Sequence, residues 1–188
     1  IIATGIKDQL PEIKGISERW GISIFHCPYC HGYELNKGNI GIIASSEHSI
    51  HMSMMLIDWG NVTLFLNNQG IDIETEQALQ ARNIKIEKRR IKEINGECNI
   101  VLEDDSSVAL DGAFVSTRCL IDQEWIVNLG CELEMNSMGE MIKTNALKET
   151  SVTGVFACGD VARLGGSVSL AVGDGTMAGV AAHRSLLF

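Results

Sequence analysis

The sequence predicts an α/β protein organised around a strand–helix–strand unit of the nucleotide-binding type, and three observations carry that prediction. Asn39 to Ala44 is a short apolar run, Ile50, Met54 and Ile57 recur at helical spacing, and Val62 to Leu66 is a second β-rich apolar run. Between residues 91 and 110, three short strand patterns are separated by Asn95-Gly96 and Asp104-Asp105, the signature of a β-meander. A Gly-Asp turn at Gly159-Asp160 precedes a long helical segment rich in Ala and Gly. With 188 residues, 45% of them hydrophobic, the chain can bury a sizeable core and hold one or two domains.

In chain order, Ile1-Ile2-Ala3-Thr4-Gly5 reads as a buried strand ending in a glycine turn. A strand at the first residue needs neighbours to pair with, so the chain is expected to be the remainder of a longer polypeptide. Ile22 to Phe25 reads as a strand running into Cys27-Pro28-Tyr29-Cys30-His31-Gly32. Ser45-Ser46 offers a cap for the helix that Gly60 stops. Ile73 to Ala81 reads as a further helix and Ile84 to Ile86 as a third strand. Ile91–Ile94, Ile100–Leu102 and Val108–Leu110 form the meander, and Ala113 to Ser116 closes the unit as another strand. From Arg118 a loop-rich stretch leads to a strand at Thr153–Asp160. Gly166-Ser167 then starts a final helix, Val168 to Leu187.

Composition excludes several classes of function. A net charge of −9 repels phosphate backbones and anionic lipid, so neither nucleic acid nor a membrane surface is an expected partner. Lys88, Arg89 and Arg90 form the one basic run; Glu87 and Glu93 flank it, and it reads as a solvated strand or loop. Apolar stretches such as Met52 to Ile57 are far too short to span a bilayer, and no basic segment precedes a long apolar core as in a signal peptide. Of the six cysteines, Cys27, Cys30, Cys98, Cys119, Cys131 and Cys158, only the first two are closely spaced. A reducing, cytoplasmic setting with one special pair and four ordinary thiols follows.

Cys27-Pro28-Tyr29-Cys30 is the sharpest local signal. Two thiols separated by two residues at a strand-to-helix turn can close a small disulfide. A helix N-terminus there would favour a thiolate, making one sulfur a nucleophile and the other its resolving partner. Three other readings stand beside redox chemistry. A structural zinc site would want a second close Cys or His pair, which the sequence lacks. Cys-Pro-Tyr-Cys-His also fits haem attachment, in proteins that are mostly helical and exported. The pair could also be inert core cysteines. The second signal is Gly154-Val155-Phe156-Ala157-Cys158-Gly159-Asp160. Its Gly-Asp end can bring backbone and carboxylate against a ribityl or sugar hydroxyl. The helix start at Gly166–Val168 would supply amide donors for an electron-rich ring edge.

Ala-Thr-Gly at 3–5, Cys-x-x-Cys with an acid/base residue and Gly at 27–32, and Gly-Val-Phe-Ala-x-Gly-Asp at 154–160 resemble, in order and spacing, the low-molecular-weight thioredoxin reductases, FAD-dependent pyridine nucleotide-disulfide oxidoreductases. The resemblance covers essentially the whole chain. It implies a Rossmann-like nucleotide-binding insert domain with a β-meander, of three-layer β/β/α type, carrying the cysteines over 10–118. It implies that 1–9 and 119–188 belong to a second, FAD-binding domain, whose N-terminal segment with the adenosine-diphosphate site is absent. By resemblance Cys30 is the cysteine beside the flavin and Cys27 the one that exchanges with substrate. His31 stands where the reductases usually have Asp as general acid; an imidazole titrates near neutrality and can do that work, with an ordinary surface histidine as the alternative. Asp160 resembles the carboxylate that holds the ribityl chain, and Thr4, Gly5, Gly159, Ser167 and Val168 complete the implied flavin contacts. No metal is implied. The implied partners are a thioredoxin-like protein or a small-molecule dithiol or disulfide, and the full-length protein is expected to be a homodimer.

The pattern departs at the nicotinamide site. The family's Gly-x-Gly-x-x-Ala turn corresponds to Ala44-Ser45-Ser46-Glu47-His48-Ser49, which lacks both glycines and adds a negative charge. Phe65-Leu66-Asn67-Asn68-Gln69 offers neither a cation for a 2′-phosphate nor an acid for a free 2′-hydroxyl. Weak NADPH binding is expected. His26–Glu34 resembles more closely the flavin-dependent dithiol oxidases, which pass electrons from a dithiol through flavin to oxygen. A nicotinamide-driven disulfide reductase, an oxygen-using dithiol oxidase and a redox-inactive binding or regulatory protein of the same fold therefore remain as readings.

Overall fold

A computed structural model describes all 188 residues. They divide into two compact units, Leu10–Thr117 and a discontinuous unit of Ile1–Gln9 with Arg118–Phe188. After β1 (Lys7–Gln9), which belongs to the discontinuous unit, the chain enters the first of these. There β2 (Ile24–Phe25) runs into α1 (Pro28–His31), followed by β3 (Asn39–Ile43), α2 (His48–Leu56), β4 (Asn61–Phe65), α3 (Ile73–Gln80) and β5 (Lys85–Glu87). Strands β6 (Ile91–Asn95), β7 (Asn99–Leu102) and β8 (Ser107–Ala109) form the antiparallel meander, and β9 (Gly112–Val115) returns to the main sheet.

That sheet is all parallel, in the order β2-β9-β3-β4-β5. Its central strands are covered on both faces, which is why they read as near-continuous apolar runs in place of an alternation. The two faces nevertheless separate by strict period two. Ile43, Phe65, Ala113 and Val115 pack with Ile91, Ile94, Ile100 and Leu102 of the meander. Their neighbours Ile40, Ile42, Leu64 and Phe114 pack with Met52 and Leu56 of α2 and Leu79 of α3. Meander, sheet and helices make three layers, the Rossmann-like α/β arrangement expected.

Two local expectations are corrected here. Neither Ser45 nor Ser46 caps α2. Glu47 holds the cap position without a side-chain bond, Ser45 Oγ donates instead to the Ser116 carbonyl at 2.6 Å, and Ser49 Oγ accepts from Ser45 N–H at 3.2 Å. The helix also ends at Leu56, before Gly60. That glycine answers a close approach, since a Cβ there would lie 2.4 Å from the Gly38 carbonyl oxygen. Helix α3 starts at an ordinary cap, with Asp72 accepting from Thr75 N–H at 2.8 Å.

In the discontinuous unit, β1 pairs antiparallel with β10 (Arg118–Leu120), and α4 (Gln123–Asn128) leads to the hairpin of β11 (Leu133–Asn136) and β12 (Gly139–Ile142). The sheet order is β1-β10-β12-β11. The sequence suggested only loop here, because these strands are three or four residues long and carry Glu134, Asn136 and Glu140 in place of an apolar run. Conversely, the strand expected at Ile1–Gly5 is a single parallel bridge from Ile2 to Ala157, and Ile1 is exposed. The expected strand at Thr153–Asp160 is likewise reduced to bridges at Phe156 and Ala157, followed by a 3-10 turn at Gly159–Ala162. Helix α5 (Val168–Ser185) closes the chain. No helix is long and apolar enough to cross a membrane.

Candidate functional site

Strand β2 delivers the chain to the cysteine pair. Phe25 ends the strand, buried against Phe114 with ring centroids 5.8 Å apart, and Cys27 two residues later is the N-cap of α1. Pro28 takes the first helical position, where its fixed φ is already helical and its missing N–H costs nothing. The Cys27 carbonyl accepts from Cys30 N–H at 3.2 Å and from His31 N–H at 3.3 Å, which folds the two side chains to the same side. Their Sγ atoms lie 2.6 Å apart, with Cys30 donating to Cys27. Closing a disulfide of about 2.05 Å from there requires a shift of roughly half an ångström.

The Cys30 thiol is pushed up to about 11 by its hydrogen bond to Cys27, then by burial and the Cys27 charge. Cys30 is the third residue of a four-residue helix, too late and in too short an element for its dipole to offset the neighbouring sulfur. Cys30 is nonetheless the more exposed of the two.

His31 follows directly. Its ring stacks on Phe25, centroids 4.1 Å apart and planes at 16°, and its Nδ1 lies 3.1 Å from Glu34 Oε2. Gly32 then admits two neighbours at once. A Cβ there would stand 2.7 Å from the Pro28 carbonyl oxygen and 3.0 Å from the Trp59 ring. Trp59 in turn meets Tyr29 edge-on at 5.6 Å. Phe25, Glu34 and Trp59 were missed as neighbours of the pair. Only Glu34 carried a signal, its spacing of three residues from His31.

In the turn after β3, the groups that would approach a pyrophosphate are engaged within the unit. Ser45 N–H is taken by Ser49 Oγ, and the Ala44 carbonyl accepts from Gln69 Nε2 at 3.2 Å. After β4, Asn67 Oδ1 accepts from Ile91 N–H at 2.9 Å, so this side chain anchors the meander. Glu47 and His48 are exposed at the helix start.

The other candidate residues lie in the discontinuous unit. Ile2 N–H donates to the Phe156 carbonyl at 2.7 Å and Cys158 N–H to the Ile2 carbonyl at 3.0 Å. This parallel bridge joins the chain just before Thr4 and Gly5 to the chain just before Gly159 and Asp160. Gly5 and Gly159 adopt φ of +69° and +72°, a region where a side chain is strained. Asp160 Oδ1 is buried without a hydrogen-bond partner, and a Cβ at Gly166 would lie 2.9 Å from its Oδ2. Ser167 is the N-cap of α5 with no side-chain bond of its own, and Val168 is exposed. The first intrahelical bond runs from Ala171 N–H to the Ser167 carbonyl, so the three amides before it are free of intrahelical partners. An orphaned carboxylate oxygen beside free amides suits a ligand with both hydroxyl donors and acceptor atoms, as FAD has. Below it, Asp174 binds Arg163 at 2.9 Å and Lys148 at 2.8 Å. No cluster of three His, Cys, Asp or Glu side chains is arranged to hold a metal ion.

Fold and motif together define a class of redox protein, and comparison with known proteins gives its family. The family model for pyridine nucleotide-disulphide oxidoreductases matches residues 1–175. The chain belongs to that family and is thioredoxin reductase-like within it. A crystal structure of an oxidoreductase from Agrobacterium tumefaciens is 52% identical, with a TM-score of 0.95 over 99% of this chain and 63% of that one. Thioredoxin reductase sirT of Leptosphaeria maculans is 31% identical over 95% of this chain and 60% of its own length. Thioredoxin reductase of Bacillus subtilis is 26% identical over 95% of this chain and 60% of its own length. The chain thus spans about three fifths of the length of these two curated relatives.

Proposed function

We propose that the whole protein is an FAD-dependent thiol–disulfide oxidoreductase in which Cys27 and Cys30 form the exchanging pair. The observation that carries this reading is the sulfur pair itself, 2.6 Å apart with His31 next in sequence. In the reducing direction, Cys27 thiolate attacks a substrate disulfide and the S–S bond breaks. His31 protonates the departing thiolate. Cys30 then gives up its proton and attacks Cys27 Sγ of the mixed disulfide, releasing the second substrate thiol. Two electrons have left the pair, which is now a disulfide; run backwards, the same steps oxidise a substrate dithiol. The flavin, when bound, supplies or removes the electron pair. Asp160, Gly159, Thr4, Gly5 and the amides at Ser167 and Val168 are the residues that would hold it. Cys30 is exposed, which leaves that sulfur open to a reaction partner.

Between the two electron routes, the occupied turn at Ala44–Ser49 and the structural use of Asn67 and Gln69 favour a dithiol oxidase over a nicotinamide-driven reductase. The substrate would be a small dithiol or a thioredoxin-like protein, and the assembly a homodimer. Anaerobic mixing of the flavin-loaded full-length protein with NADPH tests the route. Slow or absent bleaching supports the oxidase, and rapid bleaching with micromolar binding restores the reductase. His31→Asn should slow exchange by about 10²-fold, the ordinary size of a general acid–base contribution. An unchanged rate would return His31 to the surface.

A further inference from the structure

Resting on that reading, we infer that Glu34 is a positioning residue which fixes the tautomer of His31, with Phe25 fixing the plane of its ring. Two independent contacts converge on one imidazole. The Phe25 ring lies 4.1 Å from it at 16°, and Phe25 is itself buried and packed on Phe114, so the stacking partner cannot swing away. Glu34 Oε2 lies 3.1 Å from Nδ1, across the one-turn spacing that joins α1 to the 3-10 turn at Tyr33–Leu35. An ionised carboxylate only accepts, so the nitrogen facing it must carry the hydrogen. The neutral ring is then the Nδ1–H tautomer, and Nε2 is the bare nitrogen. Free neutral imidazole side chains prefer the opposite tautomer, so the carboxylate changes which atom can take a proton.

The consequence for exchange is specific. Nε2 takes the thiol proton, Nδ1–H stays bonded to Glu34, and the imidazolium so formed is stabilised by a carboxylate that does not itself accept the proton. The proton returns from Nε2 to the leaving substrate thiolate. Glu34 is two-thirds exposed, at 68% for the side chain, and packs in no core cluster, so its removal leaves the fold intact.

The test uses the prereduced protein with bis(2-hydroxyethyl) disulfide, whose alkyl thiolate needs a proton to leave, together with nitrogen NMR of His31 at about pH 8.5, well above the ordinary histidine value. Glu34→Ala should move His31 from the Nδ1–H to the Nε2–H pattern and slow exchange about tenfold, less than the loss for His31→Asn. Glu34→Gln, whose amide oxygen can still accept from Nδ1–H, should recover part of both signals. In a His31→Asn background, Glu34→Ala should change nothing further. An unchanged tautomer and rate in Glu34→Ala, with His31→Asn still slow, would overturn the positioning role and leave the exchange reading standing. Should Cys27→Ser and His31→Asn both exchange at the parent rate, the exchange reading itself fails.

Discussion

The two units handle their apolar surface and their polar atoms in opposite ways. In Leu10–Thr117 the parallel sheet is sandwiched, and Ile40, Ile42, Ile43, Leu64, Phe65, Phe114 and Val115 have no exposed surface at all. Its polar turn groups are spent on internal bonds, as at Ser45, Asn67 and Asp72. In the discontinuous unit, α5 buries only Asp174, Ala178 and Ala181 of its 18 residues, and Val168, Val172 and Val180 face outward. Asp160 Oδ1 and Arg163 Nε are buried without partners. One unit satisfies its buried side-chain polar groups internally and holds the closely spaced Cys27 and Cys30. The other holds two buried side-chain atoms without partners, Asp160 Oδ1 and Arg163 Nε, and it is there that the proposed flavin contacts fall.

Stability measurements can break that comparison, and the largest effect belongs to the sandwiched sheet. Leu64→Ala removes a fully buried side chain between sheet and helices and should cost about 2–5 kcal/mol in denaturant unfolding. A cost below about 1 kcal/mol would mean that this core is not close-packed. Asp160→Ala sharpens the contrast from the other side. Deleting a buried acceptor that has no partner should stabilise the free chain by about 1 kcal/mol, while weakening FAD binding by the full-length protein. Destabilisation of the free chain would show that the carboxylate already has a partner in solution. Val172→Ala, on the outward face of α5, should stay within about 0.5 kcal/mol.

Acid should also act on the buried ion pairs of Asp174. Burial alone would raise the Asp174 carboxyl, but the Lys148 and Arg163 bonds and charges outweigh it and hold the group below its ordinary value. A depressed folded value means stability present above the unfolded carboxylate range and lost as pH falls through the folded value. The discontinuous unit should therefore lose stability below about pH 4. Asp174→Asn should flatten that limb, as read by hydrogen exchange along α5. An unchanged acid limb would remove Asp174 from the account.

What could be read from the sequence follows the same division. Strands β3, β4 and β9 announce themselves because a sheet buried on both faces needs apolar residues at every position, and the meander because its turns carry Asn-Gly and Asp-Asp. Strands β10 to β12 and α4 do not, since three or four residues of mixed polarity carry no period. Ile1–Gly5 misled in the other direction, because a short apolar run fixes neither pairing nor burial, and only Ile2 is both paired and buried. At the candidate site, the spacing of Cys27 and Cys30 gave the pair and the order of His31 gave its neighbour. The upward shift of the Cys30 thiol was not legible, because it depends on a sulfur–sulfur distance that spacing alone leaves open. The stacking of Phe25 on His31 depends on where β2 ends relative to α1, a tertiary fact.

The claim at the centre is that Cys27 and Cys30 are one reversible two-electron couple. A thiol–disulfide redox titration with differential alkylation, read by peptide mass mapping, tests it directly. The account predicts a single transition that joins Cys27 to Cys30 while Cys98, Cys119, Cys131 and Cys158 stay reduced throughout. Cys27 or Cys30 joined to any other cysteine, or both remaining thiols under oxidising conditions, would contradict it.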